Sequence, residues 1–317
     1  YKNKKRGTHT MKLHDTQITN YLTFCKSQKC LDVKTIRAYK IDLTHFASTM
    51  PAETSLYDIA SRQIESYIAH LHSIYKPKTA KRKIASLKAF FHYCEFYEFI
   101  ERNPFDKIQI RFREPVILPK TIPLQTLELF LSTIYNQRQL TTTSYQQKNA
   151  LRDAAVIELL FATGIRISEL CSLKSCDVNL NDNFVLIYGK GSKERKLQIG
   201  NDNVLKTLNE YKNTFSKEIE NCGHFFANQS GKPLSDQSVR RMIQKYASLA
   251  GIDQHITPHM FRHTFASSLL DADVDIRYIQ EMLGHSSITT TQIYTHVTLA
   301  KQKMILTTKH PRNGFSI

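Results

Sequence analysis

The chain has 317 residues, 41% hydrophobic and 23% charged, which is ordinary globular usage. No run of 18 apolar residues is present and no apolar stretch follows the basic start, which argues against a membrane span or a secretion signal. Lys and Arg number 44 against 28 Asp and Glu, and a net charge of +16 points to a polyanionic partner, nucleic acid first and an anionic membrane surface second.

Residues 1–14 are polar and basic and read as a tail. From Asp15 to Arg102 apolar residues recur at three-to-four spacing. Ile18, Tyr21, Leu22 and Cys25 mark a first helix, and Ile36, Tyr39, Leu43 and Phe46 a second. A third is predicted over about 56–75, with Ile64, Tyr67, Ile68 and Leu71 on one face. A fourth is predicted over about 79–100, with Ile84, Leu87, Phe91 and Cys94 inward. Asn103-Pro104 stops it, because the residue before a proline is pushed out of the helical region. Residues 15–105 thus read as a four-helix unit.

The fourth helix opens on a basic cluster, Lys76, Lys78, Lys81, Arg82 and Lys83. Cations at a helix N-terminus oppose its dipole, so phosphate contact explains them better than helix stability does. Residues 106–120 hold Arg111, Arg113, Pro115 and Pro119 without a period and read as a linker. Both a plain connection and a basic strap on a nucleic-acid backbone fit that composition.

Residues 121–317 read as mixed. Helices are predicted over 124–136 and 151–161, with the Gln/Thr-rich stretch 137–149 as a loop. Two short strands, 184–188 and 196–199, flank a glycine-containing loop and make a hairpin. Helices follow over about 204–215, 235–250, 258–270, 276–283 and 289–295. The six cysteines form no CxxC and no zinc-finger spacing, so they read as reduced thiols.

Four segments carry candidate chemistry. In Thr257-Pro258-His259-Met260-Phe261-Arg262, the threonine suits an N-cap and the proline the first helical position. His259 and Arg262 then share the first turn, as an anion site or as an ordinary polar helix start. In Gly164-Ile165-Arg166-Ile167-Ser168-Glu169, the carboxylate lies three residues beyond Arg166 and is placed to orient it. Gly189-Lys190-Gly191-Ser192-Lys193-Glu194-Arg195 lacks Walker spacing and sits in a hairpin, so it is no nucleotide loop. A lysine there is still able to reach a phosphate or donate a proton. Finally, His285 and Tyr294 fall within ten residues in LGHSSITTTQIYTH. A tyrosine hydroxyl is a poor nucleophile unless cations favour its anion.

The set Arg166, Lys190, His259, Arg262, His285 and Tyr294 resembles the active site of the tyrosine recombinases, in their Xer-type and integrase branch. ATGIRISEL, GKGSKER, TPHMFRHTFASSLL and LGHSSITTTQIYTH match that family's motifs in order and spacing. The resemblance covers about residues 15–305. It implies a mainly α fold with a small antiparallel β-sheet, built as a two-domain, C-shaped DNA clamp. A helical SAM-like core-binding domain over 15–105 would be joined by the 106–120 linker to a catalytic domain over 121–317. Tyr294 would be the nucleophile of a 3′-phosphotyrosyl link, Lys190 the general acid, and Glu169 a support for Arg166. Lys76, Lys78, Lys81, Arg82, Lys83, Arg111, Arg113, Lys193 and Arg195 would contact DNA.

The same resemblance implies a double-stranded recombination site and Holliday-junction strand exchange for integration, excision or dimer resolution. It implies a homotetramer whose C-terminal tail docks on a neighbouring subunit, and accessory DNA-bending proteins as partners. It implies no cofactor, metal or membrane partner, and a cytoplasmic, DNA-associated bacterial protein. Two other readings share the sequence: a DNA-binding regulator without strand exchange, and a topoisomerase-like nickase.

Overall fold

The computed structural model describes residues 13–51, 54–110, 119–189 and 194–284. The chain divides into two compact units, Tyr1–Val116 and Ile117–Ile317.

The first unit holds four helices: α1 (Leu13–Ser27), α2 (Val33–Thr49), α3 (Ser61–Ile74) and α4 (Pro77–Phe96). Asp32 caps α2 by accepting from the Lys34 N–H at 2.7 Å. The apolar stripes face one core, in which Tyr21, Leu43, Ile64, Leu71, Leu87 and Phe91 are buried. Each such side chain contributes about 2 kcal/mol of burial. Two expectations need correction. The segment expected as one helix over 56–75 is a 3₁₀ turn, Leu56–Asp58, then α3, because Ser55 caps the turn and the chain leaves helix at Ile59 and Ala60. The fourth helix ends at Phe96, well short of Asn103-Pro104. There Glu98 takes a left-handed φ of 57° and the Phe99 N–H returns to the Cys94 carbonyl at 2.8 Å. That Schellman-type closure is sealed by Phe99 lying 6.0 Å from the Tyr93 ring.

The second unit begins with α5 (Leu124–Leu140) and α6 (Ser144–Thr163). The loop expected over 137–149 is therefore only the connection 141–143. Glutamine is a good helix former, and Thr143 caps α6 through the Gln146 N–H. Ion pairs from Arg138 to Glu210 and from Lys148 to Glu218 fasten both helix ends. Then come α7 (Ile167–Ser172), β1 (Val178–Asn179), β2 (Phe184–Tyr188) and β3 (Glu194–Gln198). The strands form an antiparallel sheet in the order β1-β2-β3, with Val185 opposite Leu197 and Ile187 opposite Arg195. The rest is helical: α8 (Asp202–Thr214), α9 (Ser216–Cys222), α10 (Asp236–Leu249), α11 (Pro258–Asp271) and α12 (Ile276–Leu283). Asn201 caps α8 by accepting from the N–H groups of Asn203 and Val204.

Helix α6 is central to this unit. It packs on α5, α8 and α11 and is buried from Ala154 through Leu160 without a break. The helix expected over 289–295 lies outside the described residues. Among the described residues, no helix is long and apolar enough to cross a membrane.

Candidate active site

Helix α6 ends where the site begins. Gly164 closes it in the left-handed conformation, φ 60°. Any Cβ there would stand 2.5 Å from Cδ1 of Phe265 on α11, so the position requires glycine twice over, for its backbone angle and for the close approach of α11. Arg166 follows at the N-cap of α7. Its own N–H donates to Glu169 Oε2 at 2.9 Å, and its Nη1 donates to Oε1 at 2.8 Å. Glu169 therefore closes the first turn of α7 and grips the Arg166 side chain with one carboxylate.

Glu169 is also held from the sheet. Arg195 on β3 donates Nη1 to Oε1 at 3.1 Å and Nη2 to Oε2 at 2.7 Å, while its Nε donates to the Met282 carbonyl at 2.9 Å. Burial pushes the Glu169 pKa up, but the bonds from Arg195 and from the Arg166 N–H outweigh it. The carboxyl is held below its usual range.

Arg262 on α11 is buried. It donates Nη1 to the Gly164 carbonyl at 2.9 Å and Nη2 to the Leu283 carbonyl at 2.7 Å. Two arginines thus meet the last carbonyls of α12, where the negative end of the helix dipole favours cations. His259 stands exposed on the first turn of α11, its ring 6.5 Å from that of His263. Burial, then His259 and Arg262, lower the His263 pKa to about 4, so His263 is neutral at pH 7. Pro258 takes the first position of α11 as expected, but Thr257 makes no side-chain cap bond.

The structure thus joins Arg166, Glu169, Arg195 and Arg262 through one carboxylate and three main-chain carbonyls. Lys190, His285 and Tyr294, with Lys193, Arg111 and Arg113, lie outside the described residues. Two expected DNA contacts need correction. Arg195 is turned inward, opposite Ile187, with all three kinds of guanidinium nitrogen engaged by protein. Its phase with buried Leu197 along β3 was the signal in the sequence. Lys83 is likewise buried, 3.3 Å from Asp42 and 5.1 Å from the centre of the Tyr75 ring. It shares the inward face of α4 with Ala80 and Leu87. Lys76, Lys78, Lys81 and Arg82 are exposed. The cysteines are free, and burial pushes the thiols of Cys94 and Cys171 up to about 12, which leaves them unreactive. Among the described residues, no group of three His, Cys, Asp or Glu is arranged to hold a metal ion.

Comparison with known proteins gives these features a context. Residues 134–301 match the phage integrase family, and residues 18–95 match the phage integrase N-terminal SAM-like domain. The chain is 67% identical over 303 residues to a tyrosine recombinase of Agathobacter rectalis, covering 95% of this chain and 98% of that protein. It is 35% identical over 302 residues to tyrosine recombinase XerD of Listeria innocua, covering 93% and 98%. Its fold matches the crystal structure of the XerH site-specific recombinase bound to palindromic difH substrate, with TM-score 0.71 and 23% identity, over 92% of this chain and 84% of that one. These relatives and the family match identify a tyrosine-type enzyme of site-specific DNA recombination. The chain belongs to the phage integrase family, on its Xer-like side.

Proposed function

We propose that this recombinase cleaves and rejoins each DNA strand through a covalent link between Tyr294 and a 3′-phosphate. The Tyr294 hydroxyl oxygen attacks the scissile phosphorus, and the bond to the 5′-oxygen breaks. His259 receives the tyrosine proton and Lys190 protonates the departing 5′-oxygen. Arg166 and Arg262 hold the non-bridging oxygens and stabilise the charge that gathers on them, for which a rigid, always-charged fork is suited. His285 donates a hydrogen bond to the same phosphate. The phosphotyrosyl bond retains the phosphodiester's energy, so religation by the 5′-hydroxyl of a partner strand needs no nucleotide.

The observation that supports this most is the Glu169-centred cluster, which preorganises Arg166 beside the carbonyls that hold Arg262. The exposed cations at the start of α4 supply sequence-independent phosphate contact. The working assembly is a homotetramer on two paired duplex sites, exchanging strands through a Holliday junction. The C-terminal tail docks on a neighbouring subunit, and accessory DNA-bending proteins assist synapsis. The enzyme acts in the cytoplasm on a mobile element or replicon dimer.

A nicked suicide substrate tests the chemistry. Wild type is expected to leave a protein–DNA adduct on a denaturing gel with EDTA present, and Tyr294→Phe none. An adduct that survives Tyr294→Phe removes Tyr294 as nucleophile. Specific binding by wild type without any adduct favours a regulator.

A further inference from the structure

Arg195 is the residue whose placement the chemistry above leaves unexplained. It sits on β3 between two exposed residues, Glu194 and Lys196, yet its own side chain is only 9% exposed. The two-residue period of the strand turns it to the core face with Leu197. A buried guanidinium is costly unless its donors are satisfied. Here the satisfaction is specific. Two nitrogens form a fork on Glu169, and the third donates to the Met282 carbonyl, a bond that crosses from the sheet to the end of α12.

The surroundings are cut to fit it. Gly284 caps α12 with φ 63°, and a Cβ at that position would stand 2.9 Å from Arg195 Nη1 and 3.2 Å from its Cδ and Cζ. The guanidinium passes where any other residue would place a side chain. The carboxylate it reaches is the one that holds Arg166, and Arg166 binds it through a single guanidinium nitrogen. Without Arg195, Glu169 would be held only by Arg166 itself, through its N–H and one guanidinium nitrogen, and the pair would lose its tie to β3 and to the end of α12.

We propose that Arg195 is a positioning residue for strand cleavage. It locks the Glu169 carboxylate to the end of α12, thereby holding Arg166 in its phosphate-binding pose, and it touches no DNA. This rests on the active-site reading above. Lysine is no substitute, since one ammonium has no planar fork to span both carboxylate oxygens while donating sideways to a carbonyl. By chain connectivity the two ends of the same link, Arg195 and Met282, lie five residues after Lys190 and three before His285.

The test is single-turnover cleavage of the suicide substrate at saturating protein, with Kd and its salt dependence measured in parallel. The variants are wild type, Arg195→Met, Arg195→Lys, Glu169→Gln and the double Arg195→Met/Glu169→Gln. A displaced catalytic group costs about 100-fold in rate, so Arg195→Met is expected to cleave about 100-fold more slowly. Its Kd and the slope of log K on log salt should be unchanged. The double variant should be no slower than the slower single, because both changes act through one carboxylate.

Three results would overturn the proposal. One is Arg195→Met cleaving at the wild-type rate. Another is a salt slope reduced by about one with normal cleavage of bound DNA, which marks a direct phosphate contact. The last is single effects that multiply in the double variant. Should Arg195→Met fail to fold, Arg195→Lys decides: slowed cleavage with normal binding supports the proposal, and wild-type cleavage overturns it. A wild type that yields no Tyr294-dependent adduct removes the active-site reading, and the proposal with it. Wild-type cleavage with an indifferent Arg195 removes the proposal alone.

Discussion

Each compact unit buries one carboxylate beneath two cations, one buried and one half-exposed. In the first unit Asp42 holds Lys83, 6% exposed, and Arg82, 46% exposed, and also accepts from the Ser86 hydroxyl at 2.9 Å. In the second, Glu169 holds Arg195, 9% exposed, and Arg166, 35% exposed. The inner partner makes the difference. Lys83 is a point charge resting over the Tyr75 ring, and its link stays within the α2–α4 pair. Arg195 is a fork that satisfies both oxygens and still reaches α12. The first arrangement packs two helices and leaves an arginine outward, where we propose it meets phosphate. The second ties a helix start, a strand and a helix end into one rigid base for the outward arginine. Where only affinity is needed a point charge suffices, whereas chemistry needs orientation.

That contrast is sharpest when each acid is removed. Glu169→Ala leaves Arg195 buried and uncompensated, at about 3–5 kcal/mol. It is expected to slow single-turnover cleavage by about 100-fold at saturating protein. Asp42→Ala is expected to cost about 3 kcal/mol by the same mechanism at Lys83, read as a lower denaturant midpoint. It should weaken DNA binding while leaving cleavage of bound DNA at the wild-type rate. If Asp42→Ala slows cleavage of bound DNA as much as Glu169→Ala does, the distinction between a packing pair and an orienting pair fails.

Acid titration resolves two groups within the second unit. His263 is held neutral, with its pKa near 4 against an ordinary 6.5, so the unfolded chain takes up a proton first. Stability contributed by this depression is present above pH 6.5 and is lost as pH falls toward 4, by about 3 kcal/mol. Thermal unfolding at stepped pH should show that slope in wild type and lose it in His263→Phe. Glu169 also has a depressed value, so its contribution is present above the ordinary 4.5 and is lost only below it. Glu169→Gln should flatten that lower limb and spare the upper one. A smaller effect is expected at Asn201→Ala, which removes the α8 cap at about 1 kcal/mol with cleavage unchanged.

Much of this was legible in the sequence, for reasons that also explain the gaps. The four helices of the first unit announced themselves because their apolar positions keep one period and one face. The pairing of Arg166 with Glu169 was readable because i and i+3 meet on any helix. Where a long-range partner decides the outcome, composition misled. Glutamine and threonine over 137–149 looked like a loop until Glu210 and Glu218, some 70 residues away, fastened the helix ends. Arg195 and Lys83 read as members of basic patches by charge alone, because charge carries no phase. Strand alternation and helix phase assign both to inward faces. The 26-residue separation between Arg195 and Glu169 is not a local pattern, so only the folded chain joins them.

The unbroken burial of α6 has a kinetic consequence. Backbone amides from Ala154 to Leu160 lie in the middle of a helix whose neighbours shield it on three sides. Opening them requires separating the packed helices, so their hydrogen exchange should proceed only through unfolding of the whole unit. Its last residue is followed by Gly164, whose carbonyl takes the Arg262 guanidinium. Arg262, which we propose holds the phosphate, is therefore moored beside the segment expected to exchange most slowly, and rearrangements short of unfolding the unit should pivot around this helix and leave it intact.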